Sequence, residues 1–196
     1  ESYYVLCLSR KKIRLIEAVN DTVSTEIVND DFPIINESYI DADDIKKAWS
    51  NVYDNRAKEF FNKADKKLLE YYNKNPKSVV LAGDVRNISY YKEIADYKNI
   101  FIGQVEGNYD NTKAQEVVNY AYVVVCKYLV DKQDKTIEDI SRAEKEQKLL
   151  LDLNDIYLAA KEGKGSKLFV EKNYIQPAVI KNNEIILKDN PSGSDI

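Results

Sequence analysis

The chain has 196 residues, of which 44% are hydrophobic, and its formal net charge is −4. This length fits one large or two small domains with a buried core, and the negative charge argues against a general nucleic-acid binder. The chain contains no histidine, which excludes a serine–histidine triad and removes the usual zinc ligand and the commonest general base.

No apolar run approaches the roughly 20 residues that a membrane-spanning helix needs, and no charged-then-apolar leader opens the chain. We therefore expect a cytoplasmic protein without a membrane partner. Cys7 and Cys126 stand apart in apolar surroundings, where buried thiols are more frequent than a disulfide. Because the chain opens on Glu1 and contains no methionine, we expect a processed or excised part of a longer protein.

The first 28 residues have the pattern of a β-meander. Residues 3–8 form an apolar run of strand length, and residues 13–18 and 22–28 alternate between apolar and polar side chains. The turn between the first two strands is basic. An irregular and acidic segment follows at residues 29–44, with the carboxylates Asp30, Asp31, Glu37, Asp41, Asp43 and Asp44.

Helices and strands alternate in the rest of the chain. Apolar side chains at helical spacing and capping residues predict helices at 56–74, 88–97, 114–128 and 136–148, and a further helix from Asp152 or Asn154 to near Gly163. Apolar runs of strand length predict strands at 79–82, 100–103 and 167–170, and weaker strand signals occur at 179–187. Residues 190–194 have loop composition. This alternation is typical of α/β proteins. The charged residues 131–135 lack apolar anchors, and we place a domain boundary there.

The stretch from Leu81 to Asp84 raises the question of a ligand loop, because a strand that ends at a glycine before a helix begins many nucleotide sites. Gly83 has no glycine partner before Gly103, so both the dinucleotide fingerprint and the P-loop are absent. We interpret Gly83 as a structural corner, with Asp84 near the cap of the next helix. Residues 163–166 allow a small anion-binding nest, but a helix end before a strand explains them without a ligand.

The densest positive cluster is Arg10, Lys11, Lys12 and Arg14, in and beside the first turn. A solvated hairpin tip explains these residues, and contacts with RNA or other phosphates are the functional alternative.

A strand meander followed by α/β units is also typical of ribonuclease-H-like nucleases, which need several carboxylates around magnesium and an aspartate inside the first strand. The first strand here contains no acid. Asp84, Glu106 and Asp110 lie near predicted strand ends and are metal ligands only in an alternative interpretation. We therefore predict no catalytic residue, no metal and no cofactor.

Several segments in order resemble one family. YYVLCLSRKKIRLIEA resembles the opening strands of the middle domain of class-I release factors of the eukaryotic and archaeal type and of pelota, and the closer match is their bacterial and archaeal release-factor-like relatives. VVLAGD and IFIGQVEGN are similar to later strands of that domain. DLNDIYLAAKEGKGSKLFVEKN is similar to the start of the third domain.

The resemblance implies an α/β fold in which residues 1–131 are a ribonuclease-H-like mixed-sheet domain. Residues 132–196 would then be the start of an α-β-α sandwich domain, which we expect to be incomplete, and the family's N-terminal domain would precede Glu1. In this family the LAG segment is a core strand and turn. The resemblance also makes the ribosome, tRNA or proteins the expected partners, and it leaves the oligomeric state open.

One departure from the family bears on activity. Release factors that hydrolyse peptidyl-tRNA carry Gly-Gly-Gln between the third strand and the long helix, where this chain has the acidic sequence FPIINESYIDADDIKKAW. Pelota lacks Gly-Gly-Gln and recruits partners to stalled ribosomes without hydrolysis. We therefore expect a non-catalytic, translation-associated factor. The alternatives are a metal-dependent or small-molecule enzyme on an α/β scaffold and a protein-interaction module unrelated to translation.

Overall fold

A computed structural model of the protein describes residues 1–37, 39 and 50–188. The chain forms two compact units, Glu1–Asp134 and Lys135–Ile196. The domains predicted from the sequence, 1–131 and 132–196, stay a prediction. Part of the acidic segment, including Asp41, Asp43 and Asp44, and the predicted loop at 190–194 lie outside the described residues.

The first unit begins with a meander and continues with alternating helices and strands, as the hydrophobic pattern indicates. Its elements are β1 (Ser2–Leu8), β2 (Lys12–Val19), β3 (Thr22–Glu26), β4 (Ile34–Ile35), α1 (Ser50–Lys74), β5 (Ser78–Gly83), α2 (Val85–Ile94), a 3₁₀ turn (Lys98–Ile100), β6 (Phe101–Glu106) and the first part of α3 (Ala114–Lys145).

In the described part of this unit, six strands form one sheet with the order β3-β2-β1-β5-β6, and β4 pairs with β2. The strands β1, β2 and β3 are antiparallel neighbours, whereas β5 and β6 run parallel to β1 on its other side. Three antiparallel strands joined to two parallel ones give the mixed sheet of the ribonuclease-H-like type, so the predicted α/β fold class is confirmed.

Two hydrophobic clusters cover the two faces of the sheet. Because side chains alternate along a strand, Tyr4, Leu6 and Leu8 of β1 pack with residues of α1 and α2, whereas Tyr3, Val5 and Cys7 pack with residues of α3. All six side chains are at most 4% exposed.

A buried carboxylate ties α1 to α2 within the first cluster. Asp65 is 3% exposed, and its two oxygens accept hydrogen bonds from the Tyr91 hydroxyl at 2.8 Å and from the Asp96 backbone N–H at 3.2 Å. Burial, followed by the neighbouring carboxylate, raises the pKa of Tyr91, so its hydroxyl remains a donor. A buried polar group is tolerated here because both oxygens have partners.

The two helices predicted at residues 114–128 and 136–148 are one helix. Residues 131–135 between them lie inside α3, which runs from Ala114 to Lys145. Charged and amide side chains such as lysine and glutamine have good helix propensity, and the segment contains neither glycine nor proline to end the helix.

The second unit contains the end of α3, then α4 (Leu153–Lys161), β7 (Ala178–Lys181) and β8 (Glu184–Leu187), and the two strands pair as an antiparallel hairpin. Asp152 caps α4 by accepting hydrogen bonds from the backbone N–H groups of Asn154 and Asp155. Gly163 follows the helix with a φ of 69°, the left-handed geometry expected for a glycine at this point.

The strand predicted at residues 167–170 is wrong. The segment is irregular, and its three apolar side chains, Leu168, Phe169 and Val170, are 69%, 47% and 60% exposed. An apolar run becomes a strand only when a neighbouring strand accepts and donates its backbone hydrogen bonds, and no such neighbour pairs with this segment in the described part of the chain.

None of the helices in the described ranges is both long and apolar enough to cross a bilayer.

Candidate functional site

The basic turn between β1 and β2 has a fixed backbone. The Ser9 hydroxyl oxygen accepts hydrogen bonds from the backbone N–H groups of Lys11 at 3.1 Å and Lys12 at 2.9 Å. The side-chain amide of Asn36 donates to the Arg10 carbonyl oxygen at 2.8 Å. A serine side chain that bonds the next residues is a common way to fix a turn. The turn therefore presents its basic side chains from a defined position.

Arg14 differs from the rest of the predicted basic cluster because it is buried. The residue is 6% exposed, and it forms a two-pronged ion pair with Glu26, with nitrogen–oxygen distances of 2.6 and 3.1 Å. The same guanidinium donates to the carbonyl oxygens of Tyr109 at 2.7 Å and Thr112 at 2.9 Å. The hydrogen bond with Glu26 is the main cause that raises the pKa of Arg14. These bonds join β2, β3 and the loop after β6, which is a structural role.

A second group of cations gathers around one aromatic ring and was not predicted from the sequence. The Arg10 guanidinium carbon lies 5.8 Å from the centroid of the Tyr90 ring, the Lys58 ammonium nitrogen 5.7 Å and the Arg86 guanidinium carbon 5.5 Å. Cations at such distances are attracted by the electron-rich face of a tyrosine. We call Arg10, Lys58, Arg86 and Tyr90 the Tyr90 patch.

Hydrogen bonds orient the two arginines of the Tyr90 patch. Arg86 Nε donates to the Tyr90 hydroxyl at 3.0 Å, one helical turn along α2. Arg10 Nε donates to the side-chain oxygen of Asn87 at 3.3 Å. Lys58 forms an ion pair with Glu93 at 2.8 Å, and the Glu93 side chain is 60% exposed.

The sequence contained one local sign of this patch, the spacing of four between Arg86 and Tyr90, which places both on one face of a helix. Arg10 and Lys58 reach the same ring only because the β1–β2 turn and α1 lie next to α2. The other two residues of the predicted cluster lie beside the patch: Lys11 is exposed with its ammonium 4.9 Å from the Tyr39 ring centroid, and Lys12 is half-buried at the start of β2.

The carboxyl ends of β5 and β6 bring two of the predicted alternative metal ligands near each other. Gly83 pairs with Glu106 across the sheet, and Asp84 follows Gly83 directly. Asp84 caps α2 through a 2.9 Å hydrogen bond from the backbone N–H of Arg86, and Glu106 accepts a hydrogen bond from the side chain of Gln104 at 3.1 Å. The described residues contain no group of three or more acidic, cysteine or histidine side chains with metal-site geometry, so Asp84, Glu106 and Asp110 do not assemble into one.

The structure confirms that Gly83 is a corner. A Cβ atom at this position would lie 2.6 Å from the carbonyl oxygen of Leu8 on the neighbouring strand β1. The glycine is therefore needed because two strands approach closely, and Asp84 begins α2 as the predicted cap.

Both cysteines are free thiols, with Cys7 buried and Cys126 half-buried. Burial raises the pKa of Cys7 to about 12, against a smaller lowering by Arg14. A thiol with so high a pKa is a poor nucleophile at neutral pH, so Cys7 serves packing.

A comparison with protein families provides the deciding observation. The model of bacterial archaeo-eukaryotic release factor family 3 matches residues 2–164. The chain belongs to that family. The resemblance to release factors noted in the sequence is thereby confirmed, and the protein is a relative of translation factors.

Two solved structures are similar to this family 3 chain over 83% of its length. One is an archaeal protein, with 16% identity and a TM-score of 0.39, and the other is the archaeal translation termination factor aRF1, with 12% identity and a TM-score of 0.36. The chain spans 46% of the first and 47% of the second, about half the length of each. No curated protein sequence matches the chain.

Proposed function

We propose that this family 3 protein is a non-catalytic translation factor that acts through contacts with the ribosome, with tRNA or with other proteins. The observation that carries this proposal is the family match over residues 2–164. The proposal places the protein in the cytoplasm, where translation takes place, and requires no metal and no cofactor.

The sequence supports the non-catalytic part of the proposal. Gly-Gly-Gln occurs nowhere in the chain, and residues 32–49, which stand where release factors carry it, contain neither glycine nor glutamine. Hydrolysis of peptidyl-tRNA needs a side chain held so that water attacks the ester, and flexible glycines allow that side chain to enter a crowded site. Carboxylates in the same place would be repelled by the phosphates of ribosomal RNA.

A metal-dependent enzyme is the alternative to a non-catalytic factor. Such an enzyme would use Asp84, Glu106 and Asp110 as metal ligands. However, Asp84 caps a helix, and no three carboxylates among the residues that the structure describes have the geometry of a metal site. A rise in melting temperature with magnesium or manganese that disappears in Asp84→Asn would favour this enzyme over the translation factor.

Two measurements test the proposal. In the first, the protein is pelleted with ribosomes through a sucrose cushion, and we expect it in the ribosome fraction. Failure to co-sediment at low salt would contradict a ribosomal role and favour an interaction module unrelated to translation.

In the second measurement, ribosomes charged with formyl-methionyl-tRNA are mixed with the protein, and a release factor that carries Gly-Gly-Gln serves as the positive control. We expect no release of formyl-methionine above background. Stoichiometric release would contradict the non-catalytic assignment while leaving the ribosomal role intact.

A further inference from the structure

We propose that the outer face of α3 binds the same face of a second copy of this chain, so that the two helices pair in antiparallel orientation. The surface, which we call the α3 stripe, consists of Tyr120, Val123, Lys127, Val130, Asp134 and Ile137. Pairing of this kind goes beyond the proposed function, because it requires neither the ribosome nor tRNA.

Four apolar side chains of the α3 stripe face solvent. Their exposed fractions are 49% for Tyr120, 68% for Val123, 56% for Val130 and 54% for Ile137. The helix buries a different set against the sheet: Val117, Val118, Ala121 and Val125. Because an α-helix has about 3.6 residues per turn, the exposed set lies on the side of the helix opposite to the buried set.

The spacing of the α3 stripe is that of helices that pair. From Tyr120 to Ile137 its members follow one another at intervals of three, four, three, four and three residues. These are the a and d positions of a heptad, which face the partner helix in a coiled coil. The two members that are not apolar, Lys127 and Asp134, carry opposite charges.

The second part of α3 has little packing of its own. From Cys126 to Lys145, a range that the structure describes throughout, the helix contains no buried side chain. Helices in proteins take most of their stability from packing of an amphipathic face. A second α3 laid along the stripe would supply such packing to the segment from Lys127 to Ile137.

The two charges of the α3 stripe fit a second copy in one direction. In a parallel pair, each Lys127 would face Lys127 of the other copy, and each Asp134 would face Asp134. In an antiparallel pair with Tyr120 opposite Ile137, each Lys127 lies about one turn from Asp134 of the other copy. Two attractive pairs then outweigh the one remaining repulsion between the two lysines, so the charges select the antiparallel pair.

The length of the contact sets the strength that we expect. The stripe extends for roughly 26 Å along the helix, which is short for a permanent interface. We therefore expect a reversible dimer. Sedimentation velocity measures it, with the unmodified protein at concentrations from about 1 to about 100 µM, and we expect a monomer at the lowest concentration and a dimer at the highest.

A charge exchange tests the surface and the direction together. Lys127→Glu turns both attractive pairs into repulsive ones, and we expect the dissociation constant of the dimer to rise at least roughly tenfold. Lys127→Glu combined with Asp134→Lys restores both attractive pairs, and its dissociation constant should return to within about threefold of that of the unmodified protein.

Lys135→Glu is the matched control, because it makes the same change of charge on the same helix. Lys135 is exposed and follows Asp134 directly, and neighbouring residues point about 100° apart around a helix, which places Lys135 off the stripe. The control should change the dissociation constant by less than about threefold. Melting curves of the variants show whether they fold, which we expect because the substituted side chains are exposed.

Three results would overturn the proposal. The first is an unmodified protein that stays a monomer at the highest concentration, and the second is equal weakening by Lys127→Glu and Lys135→Glu. The third is a double variant that dimerises no better than Lys127→Glu, which would exclude the antiparallel pair. Each of these results leaves the proposed function untouched, since co-sedimentation with ribosomes is measured separately.

Discussion

Replacement of Arg14 by methionine tests whether the buried guanidinium holds β2, β3 and the loop after β6 together. The side chain is 7% exposed and has four hydrogen bonds, two to the carboxylate of Glu26 and two to the carbonyl oxygens of Tyr109 and Thr112. Methionine fills a similar volume but donates none of these bonds.

The expected loss follows from what remains unpaired. Removal of one partner from a buried ion pair costs about 3–5 kcal/mol, because the other charge stays partly desolvated. Glu26 is 32% exposed, so water recovers part of this cost and the ion pair contributes nearer the lower value. Each carbonyl oxygen that loses its donor adds about 1 kcal/mol. We therefore expect Arg14→Met to lower the free energy of unfolding by about 3–5 kcal/mol.

Urea denaturation followed by circular dichroism measures this change. Lys67→Met is the control, because Lys67 also contacts two carboxylates but at the surface, and it should shift the unfolding midpoint far less. Glu26→Gln should lose less than Arg14→Met, and the double variant Arg14→Met with Glu26→Gln should lose less than the sum of the two single variants. Two results would refute the role of Arg14 in holding these segments together. One is a loss of unfolding free energy below about 1 kcal/mol for Arg14→Met, and the other is a loss in the double variant equal to the sum of the two single losses.

Two further predictions follow from single positions. Gly83→Ala should lower the free energy of unfolding by about 1–3 kcal/mol, because the added Cβ would lie 2.6 Å from the Leu8 carbonyl oxygen. Gly165→Ala is the control: no atom lies within 4 Å of its added Cβ, and the free energy of unfolding should change by less than about 0.5 kcal/mol. Equal losses for the two variants in the same urea assay would contradict the close approach of the two strands at Gly83. Burial raises the pKa of Cys7 from its ordinary 9.0 to about 12, so the folded state favours the protonated thiol. The thiol therefore contributes to the stability of the folded state in full below pH 9, and this stabilisation is lost as the pH rises to about 12. Stability measured from pH 8 to pH 10 should therefore fall less steeply in Cys7→Ala than in the unmodified protein, and identical slopes would argue against a buried thiol.

The elements that the sequence predicted well have a strong local signal in the sequence. The strand β1 is a run of buried apolar residues, and α2 and α4 begin at Asp84 and Asp152, whose carboxylates accept hydrogen bonds from N–H groups two or three residues ahead. Because donor and acceptor are only two or three residues apart, the sequence alone indicates where these helices begin.

Two elements differ from the sequence prediction, each for its own physical reason. Residues 167–170 are apolar enough for a strand but have no strand beside them, and a β-strand is stable only in a sheet. The helices predicted separately at residues 114–128 and 136–148 are one helix, because the segment between them makes its backbone hydrogen bonds within the helix and needs no apolar anchor for them.

The candidate site shows the same division. The sequence by itself determined the β-meander, the order of helices and strands in the first unit apart from the two-residue β4, the glycine corner at Gly83 and the likeness to release factors. It also placed Arg10 and Arg14 in one basic cluster. Only the tertiary structure separated them, because Arg14 is bonded to Glu26 of β3 and to the loop after β6, whereas Arg10 lies in the turn beside α2. Which cations meet at Tyr90 is decided by the packing of α1, α2 and the β1–β2 turn, and residues so far apart in sequence meet only after those elements have packed.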